Sequence, residues 1–219
     1  MRTLVFDLDG TLTDTAPDLA AAVNRLMASR GLAEFAVPEV AAMVGDGVGM
    51  LIERAFAAHG RTPDAAALHD YIADYNAHTV VATRLYPGVA PALRALVARN
   101  WRLAVCTNKP EQASRTLLAT LGVGDCFAAI GGGDSFPVRK PDPEHLHATL
   151  RAAGGSPERA LMVGDNRNDI AAAAGLGMHC IFAAWGYGRP GMSEGAAAIA
   201  QSFGEIPNLA ERLLPETPA

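Results

Sequence analysis

Lysine is almost absent from this chain. Of 18 basic residues, 16 are Arg, and only Lys109 and Lys140 carry an ammonium. The 18 basic side chains face 23 acidic ones, for a net charge of −5, which excludes a general nucleic-acid-binding surface. Cysteine is scarce too. Cys106, Cys126 and Cys180 are widely spaced, odd in number and form no CxxC pair. Both a disulfide framework and a zinc site are thereby disfavoured. Cys106 and Cys180 lie in apolar runs and read as buried thiols. No run of 18 apolar residues exists, and no charged start leads into a stretch of signal-peptide length. A cytoplasmic protein with no membrane partner is expected. Charged residues are only 19% against 50% hydrophobic, a balance that excludes intrinsic disorder. At 219 residues, the chain fits one domain, or one domain with a sizeable insertion.

What is present has a clear rhythm. Short apolar runs recur at Leu4-Val5-Phe6, Leu103 to Cys106, Phe127 to Ile130, Leu161 to Val163 and Cys180 to Phe182. None alternates cleanly, which suits strands buried on both faces. Helical stretches separate most of them: Val89 to Arg99, Glu111 to Leu121, Pro143 to Ala153 and Asn168 to Gly175. The alternation predicts an α/β fold with a parallel sheet between helices. It breaks from Ala16 to about Thr83, where Ala-rich amphipathic stretches replace strands (Pro17 to Arg30, Val48 to His59, Ala65 to Val81). A crossover needs one helix, so residues 16–83 are expected to be an inserted helical subdomain. Residues 1–15 and 84–219 are then the core, and the tail after Pro215 is expected to be loose.

Chemistry gathers where the strands end. In an open parallel sheet, ligands bind beyond the carboxyl ends of the strands. The first strand runs into Asp7-Leu8-Asp9-Gly10-Thr11, and the second into Thr107-Asn108-Lys109 before a helix that begins near Pro110. A hydroxyl followed by the free N–H groups of a helix start makes a phosphate cradle. After the third strand, Lys140 precedes Pro141-Asp142-Pro143, so its loop is stiff. The fourth strand ends in Gly164-Asp165 through Asp169, two carboxylates four apart that suit a hard divalent cation. Carboxylates for a metal, a cation for phosphoryl oxygens and a hydroxyl donor are the parts phosphoryl transfer needs. Both lysines of the chain fall in these strand-end loops, each followed by Pro.

These motifs, in this order, resemble those of the haloacid dehalogenase (HAD) superfamily. The carrying residues are Asp7-Leu8-Asp9-Gly10-Thr11-Leu12, Thr107-Asn108-Lys109, Lys140-Pro141 and Gly164-Asp165 through Asp169. Within the superfamily, the chain is most similar to bacterial phosphoglycolate phosphatases. Further matches are Ala16-Pro17-Asp18-Leu19, Val44-Gly45-Asp46-Gly47 and Lys140-Pro141-Asp142-Pro143. The resemblance implies a Rossmann-like core with a small helical cap, and Mg²⁺-dependent hydrolysis of a small phosphorylated metabolite, by a monomer or homodimer. It implies Asp7 as nucleophile, forming an aspartyl-phosphate. Asp9 becomes general acid and then base, with a raised pKa. The Asp9 carbonyl and the carboxylates of Asp7 and Asp165 hold the metal, while Asp169 orients the metal shell or Lys140. Thr107 and the Asn108 amide hold phosphoryl oxygens, and Lys140 offsets their charge. Thr11 steadies the Asp9 loop at the substrate site, and Gly45 approaches substrate from the cap through its backbone.

Several rivals are separable. Dehalogenase and phosphonatase relatives lack the second Asp, so Asp9 favours phosphate esters. The resembling phosphomutases place a His where Leu19 stands, which disfavours a mutase. A sugar phosphate or pyrophosphate stays open as substrate. A non-catalytic binding module is disfavoured because all four motifs are intact. His145 and His147 are two apart on a helix, hence on different faces, and are not expected to share a metal.

Overall fold

The structure is a computed structural model and describes residues 1–189 and 191–216. Of the tail after Pro215, residues 217–219 lie outside that description. The chain opens with strand β1 (Thr3–Phe6), and a short strand β2 (Thr13–Asp14) follows the first Asp-rich loop. Four helices come next: α1 (Ala16–Ser29), α2 (Val37–Ala41), α3 (Val48–Ala58) and α4 (Ala67–Ala77). The chain then returns through β3 (Arg84–Leu85), α5 (Val89–Ala98), β4 (Arg102–Cys106), α6 (Glu111–Thr120) and β5 (Ala129–Gly131). It ends with α7 (Pro143–Ala153), β6 (Ala160–Gly164), α8 (Arg167–Gly175), β7 (His179–Ala183), β8 (Ala198–Ala200) and α9 (Ile206–Leu213).

Six strands form one parallel sheet in the order β5-β4-β1-β6-β7-β8. β1 is central and wholly buried, which is why Thr-Leu-Val-Phe shows no polar alternation. Successive side chains leave opposite faces of a strand. Leu4 and Phe6 join one apolar cluster with Leu93, Leu117 and Phe203, while Val5 joins the other with Leu146, Leu150 and Ile170. The Phe6 ring stacks on Phe203 at 5.7 Å. The fold is therefore a three-layer α/β sandwich, as the alternating pattern predicts.

Helices α1 to α4 share a third apolar cluster of their own, built from Leu19, Leu26, Ile52, Phe56 and Tyr71 among others. The chain enters and leaves them through an antiparallel pair, with Thr13 opposite Leu85 and Asp14 opposite Arg84. Asp18, in the first turn of α1, accepts the N–H groups of Val81, Ala82 and Thr83 and the Thr83 hydroxyl. Its carboxylate thus ties the exit of the helical insert to its entrance.

Some elements differ from the sequence reading. The strand expected at Phe127 to Ile130 starts later, because Gly124–Cys126 closes a tight helical turn first. β8 was not expected at all. It is an Ala-Ile-Ala edge strand in an Ala-rich run, a composition with little strand preference.

Candidate active site

Strand register assembles the site. Phe6 is level with Val105 of β4 and Val163 of β6. The residues that follow leave the sheet together at its carboxyl edge: Asp7 after β1, Thr107 after β4 and Asp165 after β6. The Asp7 N–H still donates to Val163 O at 2.9 Å, which fixes where its side chain starts.

Asp7, Asp165 and Asp169 are all buried, and each brings one oxygen within 4.8 Å of the others. Asp165 is held by the Thr11 hydroxyl at 3.0 Å and the Tyr187 N–H at 2.7 Å. Asp169 accepts the Asn166 N–H at 3.0 Å. Glycine leaves the room for this crowding. A Cβ on Gly164 would sit 2.1 Å from Asp169 Oδ2, and one on Gly10, at φ +88°, would sit 2.4 Å from Asp165 Oδ2. Burial, then the charges of Asp7 and Asp169, push the Asp165 carboxyl well above the usual range. Burial also pushes Asp169 up, against the downward pull of Lys140.

Lys140 is the cation of this cluster. Its Nζ lies 2.6 Å from Asp169 Oδ1 and 3.0 Å from Asp7 Oδ1. Burial alone would lower the ammonium pKa, but Asp169 and Asp7 outweigh it and raise it. The backbone beside it is held by a histidine. The Lys140 N–H donates to His145 Nδ1 at 3.1 Å, and His145 Nε2 donates to Gly132 O at 2.9 Å. Burial, then Lys140, hold that imidazole below its usual pKa, which suits the neutral tautomer with Nδ1 as acceptor. His145 is thus no metal ligand; it positions the Lys140 loop.

The Thr107 hydroxyl accepts the Lys109 N–H at 3.2 Å, which leaves its own proton free to donate into the cavity it lines. Asn108 lines the same cavity as Thr107. Its side-chain Nδ2 donates to Gly45 O and to Lys140 O, both at 2.9 Å, so the amide bridges the helical insert and the Lys140 loop. Gly45 lines the cavity, and its carbonyl engages the core, accepting from Asn108 and, at 3.3 Å, from Asn168. Thr11 is fully buried, and its hydroxyl is committed to Asp165 instead of substrate. Asp9 faces the same cavity as Asp7, with Lys109 Nζ 3.3 Å from both of its oxygens.

Three tyrosines complete the surroundings, and the motifs gave no sign of their roles. Tyr71 and Tyr75, from α4, line the cavity opposite Asp7 and Asp9. Tyr187 reaches the other side of the first loop. Its hydroxyl accepts the N–H groups of Thr15 and Ala16 at 2.7 and 2.8 Å and donates to Asp14 at 2.8 Å. Arg139 and Arg167, which flank the motifs, are exposed.

A carboxylate beside a buried ammonium, with two more buried acids, is equipment that a hydrolase acting on phosphate can use. A sequence model of the haloacid dehalogenase-like hydrolases matches residues 1–177. The chain belongs to this family. It is 43% identical over 219 residues to a phosphoglycolate phosphatase of Cereibacter sphaeroides, covering 98% of this chain and 100% of that one. Among solved structures, a predicted phosphoglycolate phosphatase from Haemophilus somnus superposes with a TM-score of 0.88 at 28% identity, over 95% of this chain and 97% of that one. A CbbY variant from Rhodobacter sphaeroides, in complex with xylulose-(1,5)bisphosphate, superposes with a TM-score of 0.78 at 27% identity, over 94% and 96% of the two chains. This HAD hydrolase has no helix among the described residues that is long and apolar enough to cross a membrane.

Proposed function

We propose that this HAD hydrolase is a cytoplasmic, Mg²⁺-dependent phosphatase that cleaves 2-phosphoglycolate to glycolate and phosphate. The observation that carries the reading is the Asp7 carboxylate at the end of β1. Lys140 lies 3.0 Å from one of its oxygens, and the cavity opens in front of it. The relatives named phosphoglycolate phosphatase supply the substrate.

Residues 1–15 and 84–219 act as the catalytic core, and residues 16–83 act as a cap over it. A carboxylate oxygen of Asp7 attacks phosphorus and the bond to the leaving oxygen breaks, giving an aspartyl-phosphate. Asp9 gives the leaving alkoxide its proton, then takes one from the water that hydrolyses the acyl phosphate. Thr107 donates to a phosphoryl oxygen, and Lys140 balances the charge that gathers there. Asp169 serves through Lys140, which it holds at 2.6 Å.

Three buried carboxylates face one ammonium, a surplus of two negative charges that suits a single divalent cation. Asp7, Asp165 and the Asp9 carbonyl would hold Mg²⁺. When bound, the ion supplies the positive charge that lets an anionic phosphate approach a carboxylate nucleophile. Leu19 lines the cavity and carries no proton, which supports a hydrolase over a phosphomutase.

The test is magnesium-dependent phosphate release from p-nitrophenyl phosphate, followed by a panel of 2-phosphoglycolate, phosphosugars and pyrophosphate. Asp7→Asn should abolish turnover; activity that survives it would remove the nucleophile assignment. A sugar bisphosphate is the second reading, favoured by the structural likeness to the CbbY complex. A kcat/KM for 2-phosphoglycolate no higher than for the others would overturn the substrate assignment.

A further inference from the structure

The cavity in front of Asp7 and Asp9 has a volume of about 70 Å³. Sites for drug-sized ligands run to roughly 300–1,000 Å³, so this one suits a leaving group of a few atoms. Its far wall comes from the helical insert and is mostly apolar; Tyr71, Tyr75 and Asn76 are the polar side chains in it. Tyr71 and Tyr75 are 2% and 5% exposed. Neither phenol oxygen makes a well-formed hydrogen bond among the described residues, although the Lys109 ammonium interacts with Tyr75. The rings stack one helical turn apart, with centroids 6.0 Å apart and planes 7° from parallel, so both hydroxyls are carried by one face of α4. Lys109 Nζ sits 4.6 Å from the Tyr75 ring centroid, and its contacts with Asp9 are long, at 3.3 Å.

Two buried hydroxyls without well-formed hydrogen bonds are unfavourable unless something fills the need. We infer that Tyr71, Tyr75 and Lys109 form the subsite for the leaving group, and that this subsite takes a carboxylate. The inference rests on the phosphatase reading above and adds the group that selects the substrate. The subsite offers two O–H donors and one ammonium. Burial raises both phenols, so they stay protonated donors at neutral pH. Asp9 is engaged by Lys109, and the other side-chain acceptors lining the cavity are the amide oxygens of Asn108 and Asn76, which carry no charge. A carboxylate brings acceptors and negative charge and needs no acceptor in return. Leu19, Val48 and Leu51 in the same wall keep the site dry, which strengthens a charged hydrogen bond.

The experiment compares kcat/KM for 2-phosphoglycolate with that for ethyl phosphate, which has the same chain length but no carboxylate. It is run on wild type, Tyr71→Phe, Tyr75→Phe and Lys109→Met. Ethyl phosphate corrects for any effect that Lys109 exerts through Asp9. Thermal unfolding of each variant establishes that it folds. The ratio should fall by roughly tenfold to hundredfold in each variant, the scale of one hydrogen bond to a charged group. A ratio unchanged in all three, or a parallel loss on both substrates, would overturn the subsite. The two readings fail separately. If wild type prefers a different carboxylated ester, such as 3-phosphoglycerate, and the variants still lose that preference, the subsite stands and 2-phosphoglycolate falls. If 2-phosphoglycolate is preferred and the variants keep its ratio, the substrate stands and the subsite falls.

Discussion

Replacing Lys140 by Met tests the electrostatic account of the site most directly. The side chain is about the same size, so packing changes little, but the only cation among the described residues that pairs with Asp7 and Asp169 is lost. At an effective dielectric near 20, a unit charge pair 4 Å apart is worth about 4 kcal/mol. Here the two contacts are shorter, 2.6 and 3.0 Å, and both ends are buried. The desolvation of Lys140 offsets much of that attraction while the pair is intact. Removing one member leaves the other charges buried and unpaired, at a cost of about 3–5 kcal/mol. Urea unfolding at pH 8 in the presence of EDTA should show a loss of that size. The loss should shrink at pH 5. Asp169 is already raised from 3.8 to about 7 with Lys140 in place, and Lys140 is the strongest influence lowering it, so without Lys140 the folded carboxyl keeps its proton to still higher pH. A folded-state pKa above the unfolded one makes stability fall as pH rises past the unfolded value. Turnover should drop by roughly 10²–10³, as when one stabilising donor is removed from a transition state. Stability within about 0.5 kcal/mol of wild type, the scale of an ordinary surface change, would refute the argument.

Two further outcomes are expected. Asp9→Asn should keep phosphate binding but slow turnover by roughly 10²–10⁴, the range of general acid–base catalysis, and unchanged turnover would remove Asp9 as the acid. His145 is buried neutral, with its pKa held below 6.5. An unfolded chain takes up that proton first, so His145 lowers stability as pH falls from 6.5 toward the folded value. The melting temperature of wild type should therefore decline more steeply from pH 7 to pH 5 than that of His145→Gln; parallel curves would contradict the neutral assignment.

The core was legible because its chemistry lies at the ends of strands. Asp7, Thr107 and Asp165 each follow directly on a strand, and parallel pairing sets those ends side by side. Knowing the strands was nearly enough to know the cluster. The partners that depend on side-chain direction were not legible. Asn108 is where expected, but nothing in Thr107-Asn108-Lys109 says that its amide turns to Gly45, 63 residues earlier. Thr11 is in the first motif, and only the packing of β1 against β6 points its hydroxyl at Asp165. Tyr71 and Tyr75 were hidden for a different reason. At i and i+4 on an amphipathic helix, they look like core residues, and their rings do join the apolar cluster of the insert. Both residues also line the cavity, and their hydroxyls are buried.

The scarcity of lysine gains a physical meaning from this arrangement. Each of the two lysines pairs with different buried or half-buried acids of the site: Lys140 with Asp7 and Asp169, and Lys109 with Asp9. Their side chains are 2% and 4% exposed, so neither cation can lean into water. A guanidinium there would bring five N–H groups in a fixed fork and would need acceptors for all of them. Most of the carboxylate oxygens there are already taken. Asp165 is already occupied by Thr11 and Tyr187, and Asn166 takes the second oxygen of Asp169. An ammonium presents three donors on a flexible stem and fits the space that is left. The pressure toward Arg elsewhere in the chain therefore stops at the two positions where a compact point charge has to be buried against a carboxylate.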